Sequence, residues 1–281
     1  MTTLNWLHIT DIHLGMKDRG LWAGSKQIML DDLKRATEEI GPWDLVLLTG
    51  DLAFSGKATE YQLVDAALDE IWRVLCKGHS SAPSPLLLAV PGNHDMARPD
   101  KEDAISQGLL TSDRAREGLW KGNKATIQNV QSWFADYETW WNSCQYRPKT
   151  GLHMGLLPGD FLYTHRKGNL DIGLVGMNSA FLDVSDEVEE GQLWMDIRQL
   201  APAVADLPLW LRQHALSFLL THHPVKWLSS ASQEHYRAAI APAGRFTAHL
   251  CGHLHEAFAE ERSVGAGEAS RIWQAPSFFG L

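Results

Sequence analysis

Five polar clusters constrain this chain more than any other feature, because each directly follows an apolar run. Leu4–Thr10 leads into Asp11-Ile12-His13, and Leu45-Val46-Leu47-Leu48 into Gly50-Asp51. Leu86–Val90 leads into Gly92-Asn93-His94-Asp95. Leu216–Thr221 leads into His222-His223-Pro224, and Phe246–Cys251 into Gly252-His253-Leu254-His255. Leu45–Leu48 is continuously apolar, as in a strand buried on both faces; the other runs also read as strands, although Asn5 and His8 interrupt the first. The clusters then all fall at carboxyl ends of strands, where open α/β sheets place their sites.

Between the first runs the periodicity is helical. Ser25–Ile40 carries apolar residues at 28, 30, 33, 36 and 40, and Gly41-Pro42 ends it. Glu60–Cys76 is a second amphipathic helix, with Leu63, Ala66, Ala67, Ile71, Val74 and Leu75 on its expected apolar side. Strand, helix, strand, helix, strand implies right-handed crossovers and a largely parallel sheet. The pattern breaks from about Met96 to Pro148, a stretch rich in helix formers and tryptophan, with Gln128–Trp141 readable as one helix. Residues 97–150 are therefore expected to be a helical cap or side wall inserted into one domain spanning 1–281. Beyond it strands are expected at Phe161–Thr164, Ile172–Met177, Leu216–Thr221, Phe246–Cys251, Ala257–Arg262 and Arg271–Gln274, with helices at Gly191–Leu200 and Leu207–His214. The apolar end Phe278-Phe279-Gly280-Leu281 favours the start of a longer polypeptide, with a C-terminal signalling domain fused or associated.

Composition narrows the class. With 44% hydrophobic and 21% charged residues the chain is globular. No stretch approaches the roughly 20 apolar residues of a membrane helix. A net charge of −9 argues against a generic basic surface for duplex nucleic acid. Three cysteines (Cys76, Cys144, Cys251) cannot build a disulfide framework, and the N-terminus carries no export signal, so a cytoplasmic location is expected.

The clusters contain Asp, Asn and His but no Cys. That donor set suits borderline divalent metals such as Mn, Fe, Zn or Co. One carboxylate can bridge two ions, and two ions about 3.5–4 Å apart can clamp the attacking and leaving oxygens of a phosphoryl displacement. Taken singly, each cluster has a bland explanation: Asp-x-His is common, Gly-Asp is usually a turn, and His222-His223-Pro224 serves to cap a strand. Five of them, each at a strand end, are hard to explain by packing.

The series Asp11-x-His13, Gly50-Asp51, Gly92-Asn93-His94-Asp95, His222, Gly252-His253-x-His255 resembles the signature of the calcineurin-like metallophosphoesterases, from about residue 4 to Pro276-Ser277 with 97–150 outside it. The resemblance implies a four-layer α/β/β/α sandwich of two mixed sheets with a dinuclear site between them. It implies one metal (Mn²⁺, Fe²⁺/Fe³⁺ or Zn²⁺) on Asp11, His13, Asp51 and His255, and a second on Asp51, Asn93, His222 and His253. His94 would contact the scissile phosphate, and Asp95 would hydrogen-bond His94. His223 would line the site or only pack, and Asn178 would reach the site or only form a turn. The expected reaction is attack on a phosphodiester by a metal-bridging hydroxide. The stretch Gly50–Gly56 is similar to the cyclic-nucleotide phosphodiesterase-like and nuclease-like branches. Substrates in view are cyclic nucleotides, single-stranded nucleic acid and small diesters. The alternatives are a phosphomonoesterase of the same fold and a non-catalytic metal-binding scaffold.

Three further features read more simply as structure. Trp120, Trp133, Phe134, Tyr137, Trp140 and Trp141 could stack bases but have the spacing of a helix core. Arg114, Arg116, Lys121, Lys124, Arg147 and Lys149 are diluted by Asp113, Glu117 and Asp136. Cys251 fits no ligand position and reads as packing.

Overall fold

The computed structural model describes residues 2–17, 19–79, 82–263 and 269–277. The apolar end at 278–281 lies outside them. The first third forms β1 (Trp6–Ile9), α1 (Arg19–Ile40), β2 (Leu45–Leu48), α2 (Ala58–Leu75) and β3 (Leu86–Ala89). These strands make a three-stranded parallel sheet in the order β1-β2-β3. Ile9 pairs with Leu48 and Leu48 with Ala89, so the three strands end level. Asp11, Gly50-Asp51 and Gly92-Asn93 therefore leave the sheet side by side.

Residues 104–143 fold as α3 (Ala104–Thr111), α4 (Asp113–Trp120), α5 (Lys124–Trp133) and α6 (Ala135–Ser143). Side chains of Asp103, Ser112 and Asn123 accept from the first-turn amides of α3, α4 and α5, the usual service of such residues at helix starts. The single helix expected over Gln128–Trp141 is broken at Phe134 (φ −108°, ψ 19°). A one-residue departure leaves the apolar spacing intact, so periodicity does not reveal it.

The rest builds a seven-stranded mixed sheet from β4 (His153–Met154), β5 (Phe161–Lys167), β6 (Leu170–Gly176), β7 (Leu216–Leu220), β8 (Ala248–Cys251), β9 (Phe258–Arg262) and β10 (Ser270–Gln274), in the order β4-β5-β6-β7-β8-β10-β9. The helices α7 (Leu207–Leu211) and α8 (Ser230–His235) flank it, the latter continuing into a π-helical turn at Tyr236–Ile240. Mixed pairing is thus confined to the larger sheet among the described strands. Leu220 pairs with Leu250, so His222 and His253 also emerge level.

Alternation along the strands defines the layers. Leu45, Leu47, Leu88 and Val90 meet Phe161, Ile172, Leu174, Phe218, Leu220 and Leu250 between the sheets. Val46, Leu48, Leu87 and Ala89 face the helices instead. Burial of both faces explains why these strands are uniformly apolar.

Two expectations change. Helix α2 buries Tyr61, Val64, Ala67, Leu68, Ile71, Trp72 and Leu75. Leu63, expected inside, is 49% exposed. The bulkier stripe wins the interior and is rotated from the expected one. The expected helix Gly191–Leu200 is absent. Leu193 bridges Leu228 through Leu193 N–Trp227 O (2.9 Å) and Ser229 N–Leu193 O (2.7 Å), leaving only a 3₁₀ turn at Ile197–Leu200. Pairing with a distant segment here overrides local propensity.

The aromatics of this helical segment are core: Trp133, Phe134, Tyr137, Trp140 and Trp141 are buried. Buried Arg116 donates to the carbonyls of Leu109 and Leu110 and lies 4.0 Å over the Trp194 ring. Arg116 is thus internal bracing, whereas Arg114, Lys121, Lys124 and Lys149 are exposed, as a solvated face would be. Cys251 is buried within β8.

Candidate metal centre

The level strand ends bring seven residues into one cluster. Around Asp11, His13 Nε2 stands 3.8 Å and His255 Nε2 3.5 Å from Oδ1, with 3.3 Å between the two nitrogens. Around Asn93, His222 Nε2 stands 3.1 Å from Oδ1 and 3.3 Å from His253 Nδ1. Asp51 joins the two groups through one atom. Its Oδ2 is 3.7 Å from His13 Nε2 and 3.4 Å from His222 Nε2.

Nitrogen and oxygen ligands lie about 2.0–2.2 Å from such an ion, so two ligands of one ion stand no more than about 4.4 Å apart. Every separation above meets that limit. Among the described residues, buried Asp11 Oδ1 has no well-formed hydrogen bond, with His255 Nε2 the nearest donor at 3.5 Å, a state that costs free energy unless a cation faces it. Asp11-His13-His255, His13-Asp51-His94, Asp11-Asp51-His222 and His222-His223-His253 each offer donor atoms within 4.8 Å of one another. The residues present fit a pair of metal ions.

The backbone is bent to reach this arrangement. Among the described residues, those other than glycine with left-handed φ are Asp11 (53°), His13 (46°), Asp51 (54°), His253 (72°) and His255 (58°). Such conformations cost of order 1–3 kcal/mol each and collect where function demands them. Glycines serve close approach as much as turning. A Cβ on Gly92 would lie 2.1 Å from Asp51 Oδ1, and one on Gly252 2.0 Å from Thr10 Oγ1. Gly92→Ala is therefore expected to destabilise the fold by about 1–3 kcal/mol and to lower metal content, measured by denaturant titration and elemental analysis.

Charge states suit cation binding. Burial works against ionising Asp51, but His222 and His13 outweigh it and hold the carboxyl well below its usual range. Asp11 is likewise held down, against burial, chiefly by His255 and His222. Burial pushes His13 down, and burial with neighbouring His223 and His222 pushes His253 down to about 2. For His222 burial is outweighed by Asp51, which holds it up at about 10. Its Nδ1–H donates to Thr49 O at 2.7 Å, turning Nε2 toward Asp51 and Asn93. A backbone carbonyl thus sets the tautomer.

His94 and Asp95 depart from expectation. His94 Nδ1–H donates to the carbonyl of Phe54 at 2.7 Å, its ring stacks on Phe54 (5.5 Å, 28°), and its amide donates to Asp51 Oδ1 at 2.9 Å. Asp95 does not orient it. The Asp95 carboxylate accepts instead from the amides of Leu52 (3.1 Å), Ala53 (2.9 Å) and Gly92 (2.9 Å) and from Tyr61 O–H (3.1 Å). It ties two strand-end turns together and is a positioning residue.

His223 is buried beside the cluster. It receives Ser179 Oγ at 3.1 Å on Nδ1 and donates from Nε2 to Asp183 at 3.1 Å, with its ring 4.2 Å from that of His253. Asn178 spends its side chain on its own turn. Its side chain donates to Pro158 O (2.9 Å) and accepts from Ala180 N (2.8 Å), and its backbone is held by Asp160 and Gln199. The turn reading holds for Asn178. Tyr61, Phe54 and Asp183 escaped the sequence reading. A tyrosine on a helical apolar face looks like core, and a carbonyl acceptor carries no residue signature.

Known structures share this architecture at low identity. A purple acid phosphatase from yellow lupin (Lupinus luteus) seeds aligns at 11% identity and a TM-score of 0.52, covering 97% of this chain and 44% of that one. The NAD nucleotidase of Haemophilus influenzae aligns at 13% identity and 0.50, covering 98% and 45%. The chain thus spans less than half the length of these proteins. No curated protein matches it in sequence. No helix among the described residues is long and apolar enough to cross a membrane. The sequence profile of the calcineurin-like phosphoesterases matches residues 4–257, and the chain belongs to that family.

Proposed function

We propose that this chain is a phosphodiesterase using two divalent ions, one held by Asp11, His13, Asp51 and His255, the other by Asp51, Asn93, His222 and His253. The observation that carries this is Asp51 Oδ2, which lies within ligand range of donors from both groups. The carboxylate, amide and imidazole donors favour Mn, Fe or Zn. When bound, such a pair neutralises phosphate charge and activates water as the nucleophile.

The chain's own residues supply position and a proton. Asp51 Oδ1 holds the His94 amide, and Phe54 O holds His94 Nδ1, so Nε2 is the nitrogen left to donate to a leaving alkoxide. Positioned acids of this kind contribute about 10²–10⁴-fold. The segment Gly50–Gly56, which resembles the diesterase branches, contains Phe54 and so builds the platform under His94. Three free cysteines favour a reducing, cytoplasmic setting. Cyclic nucleotides, single-stranded nucleic acid and small diesters are the substrate classes to test.

A second reading, hydrolysis of monoesters, is favoured by what the architectural relatives are called, a phosphatase and a nucleotidase. Metal-reconstituted protein assayed on bis(p-nitrophenyl) phosphate and p-nitrophenyl phosphate separates the two. A higher kcat/KM on the diester is expected. The reverse order assigns a monoesterase, and a metal-free, inactive chain assigns a scaffold.

A further inference from the structure

We infer that the hydroxyl of Tyr61 positions the metal-bridging turn, and that the inserted helix α6 acts on the metal centre through it. The path is continuous. Asp95 is fully buried and its carboxylate gathers the amides of Leu52, Ala53 and Gly92. Leu52 follows Asp51 directly, and Gly92 packs against the Asp51 side chain so closely that a Cβ would meet its Oδ1 at 2.1 Å. Moving the Asp95 carboxylate therefore moves both turns that carry Asp51, Asn93 and His94. Three of its donors are amides of those same turns. The fourth, Tyr61 O–H at 3.1 Å, comes from elsewhere and anchors the carboxylate to helix α2.

Tyr61 is itself held by the insertion. Its ring stacks on Trp140 of α6 (5.4 Å, 19°) and meets Tyr137 edge-on (6.4 Å, 66°). Trp140 Nε1–H donates to Asp65 of α2 at 2.8 Å, and Tyr137 O–H to Ala89 O at the end of β3 at 3.0 Å. Helix α6 is thus pinned to α2 and to the strand that delivers Asn93. The Tyr61 hydroxyl reaches both the carboxylate (3.1 Å) and the backbone carbonyl (3.3 Å) of Asp95 while its ring stacks on Trp140, so α6 bears on where Asp95 sits.

The inference rests on the metal reading above, and its test separates the two. Tyr61→Phe keeps the ring and removes only the hydroxyl. Groups hydrogen-bonded directly to a ligand typically change metal affinity by about 10–100-fold, and Tyr61, one group further out through Asp95, is expected at the low end of that range. Mn²⁺ affinity, measured by calorimetry well below the melting temperature, is expected to fall about tenfold in Tyr61→Phe. Tyr146→Phe, which also loses a phenol hydrogen bond to helix α2 (Tyr146 O–H to Asp69, 2.6 Å) but lies outside the Tyr61–Asp95 path, is expected to lower the melting temperature while binding Mn²⁺ like the parent. Equal affinity in Tyr61→Phe and parent overturns the inference and makes Tyr61 packing alone. Equal losses in both variants overturn it as well, because generic loosening then suffices. A parent that binds no Mn²⁺, Fe²⁺ or Zn²⁺ overturns the metal reading and this inference with it.

Discussion

Asp51→Asn is expected to lower turnover by at least about a thousandfold, roughly 4 kcal/mol of transition-state stabilisation, and to reduce metal content from two ions per chain to less than one. Size is not the cause, since the two side chains are isosteric. The His94 amide donates to Asp51 Oδ1 at 2.9 Å, so an asparagine keeps its oxygen there. Its amide nitrogen then takes the place of Oδ2, which faces His13 and His222. Two hydrogen-bond donors then point where the proposed pair of cations would share an anion, and one negative charge is gone. Elemental analysis after dialysis, together with initial rates on bis(p-nitrophenyl) phosphate, checks both parts. An Asn variant that retains two ions removes Asp51 as the bridge.

His94→Ala is expected to retain its metal and lose about 10²–10⁴-fold in kcat. The two readouts are needed together, because His94 shares a compact donor group with His13 and Asp51. A ligand role would cost metal, whereas a proton-donating role costs rate alone. The ring is held by Phe54 through one hydrogen bond and one stacking contact, and neither touches the fold's core strands, so little change in stability should follow. The loss should also be smaller on a diester with a p-nitrophenolate leaving group than on one with an alkyl leaving group, because a good leaving group needs less protonation. Equal losses on the two would place His94 on the phosphoryl oxygens instead.

Much of this arrangement was legible in the residues. Apolar runs announced buried strands, and β2 and β3 begin and end within one or two residues of the expected positions. The polar clusters stood out because Asp, Asn and His have little reason to follow a buried strand. Choosing His222 over His223 rested on family resemblance, and the structure places His222 Nε2 beside Asp51 and Asn93. Partners that are backbone atoms or distant neighbours were not legible. Thr49 O orients His222, Phe54 O orients His94, and Asp95 serves amides on two turns. Asn178, a polar residue at a strand end, has its side chain occupied by its own turn.

Local order of residues by itself determined the strands, the donor types and hence the chemistry, because burial selects apolar runs and cations select oxygen and imidazole. Only the tertiary structure decided that those donors meet. Strand register levels the ends of β1, β2 and β3 and aligns β7 with β8, and the left-handed turns at Asp11, His13, Asp51, His253 and His255 aim the side chains inward. Register and turn geometry arise from contacts between segments up to 242 positions apart, which no local pattern encodes.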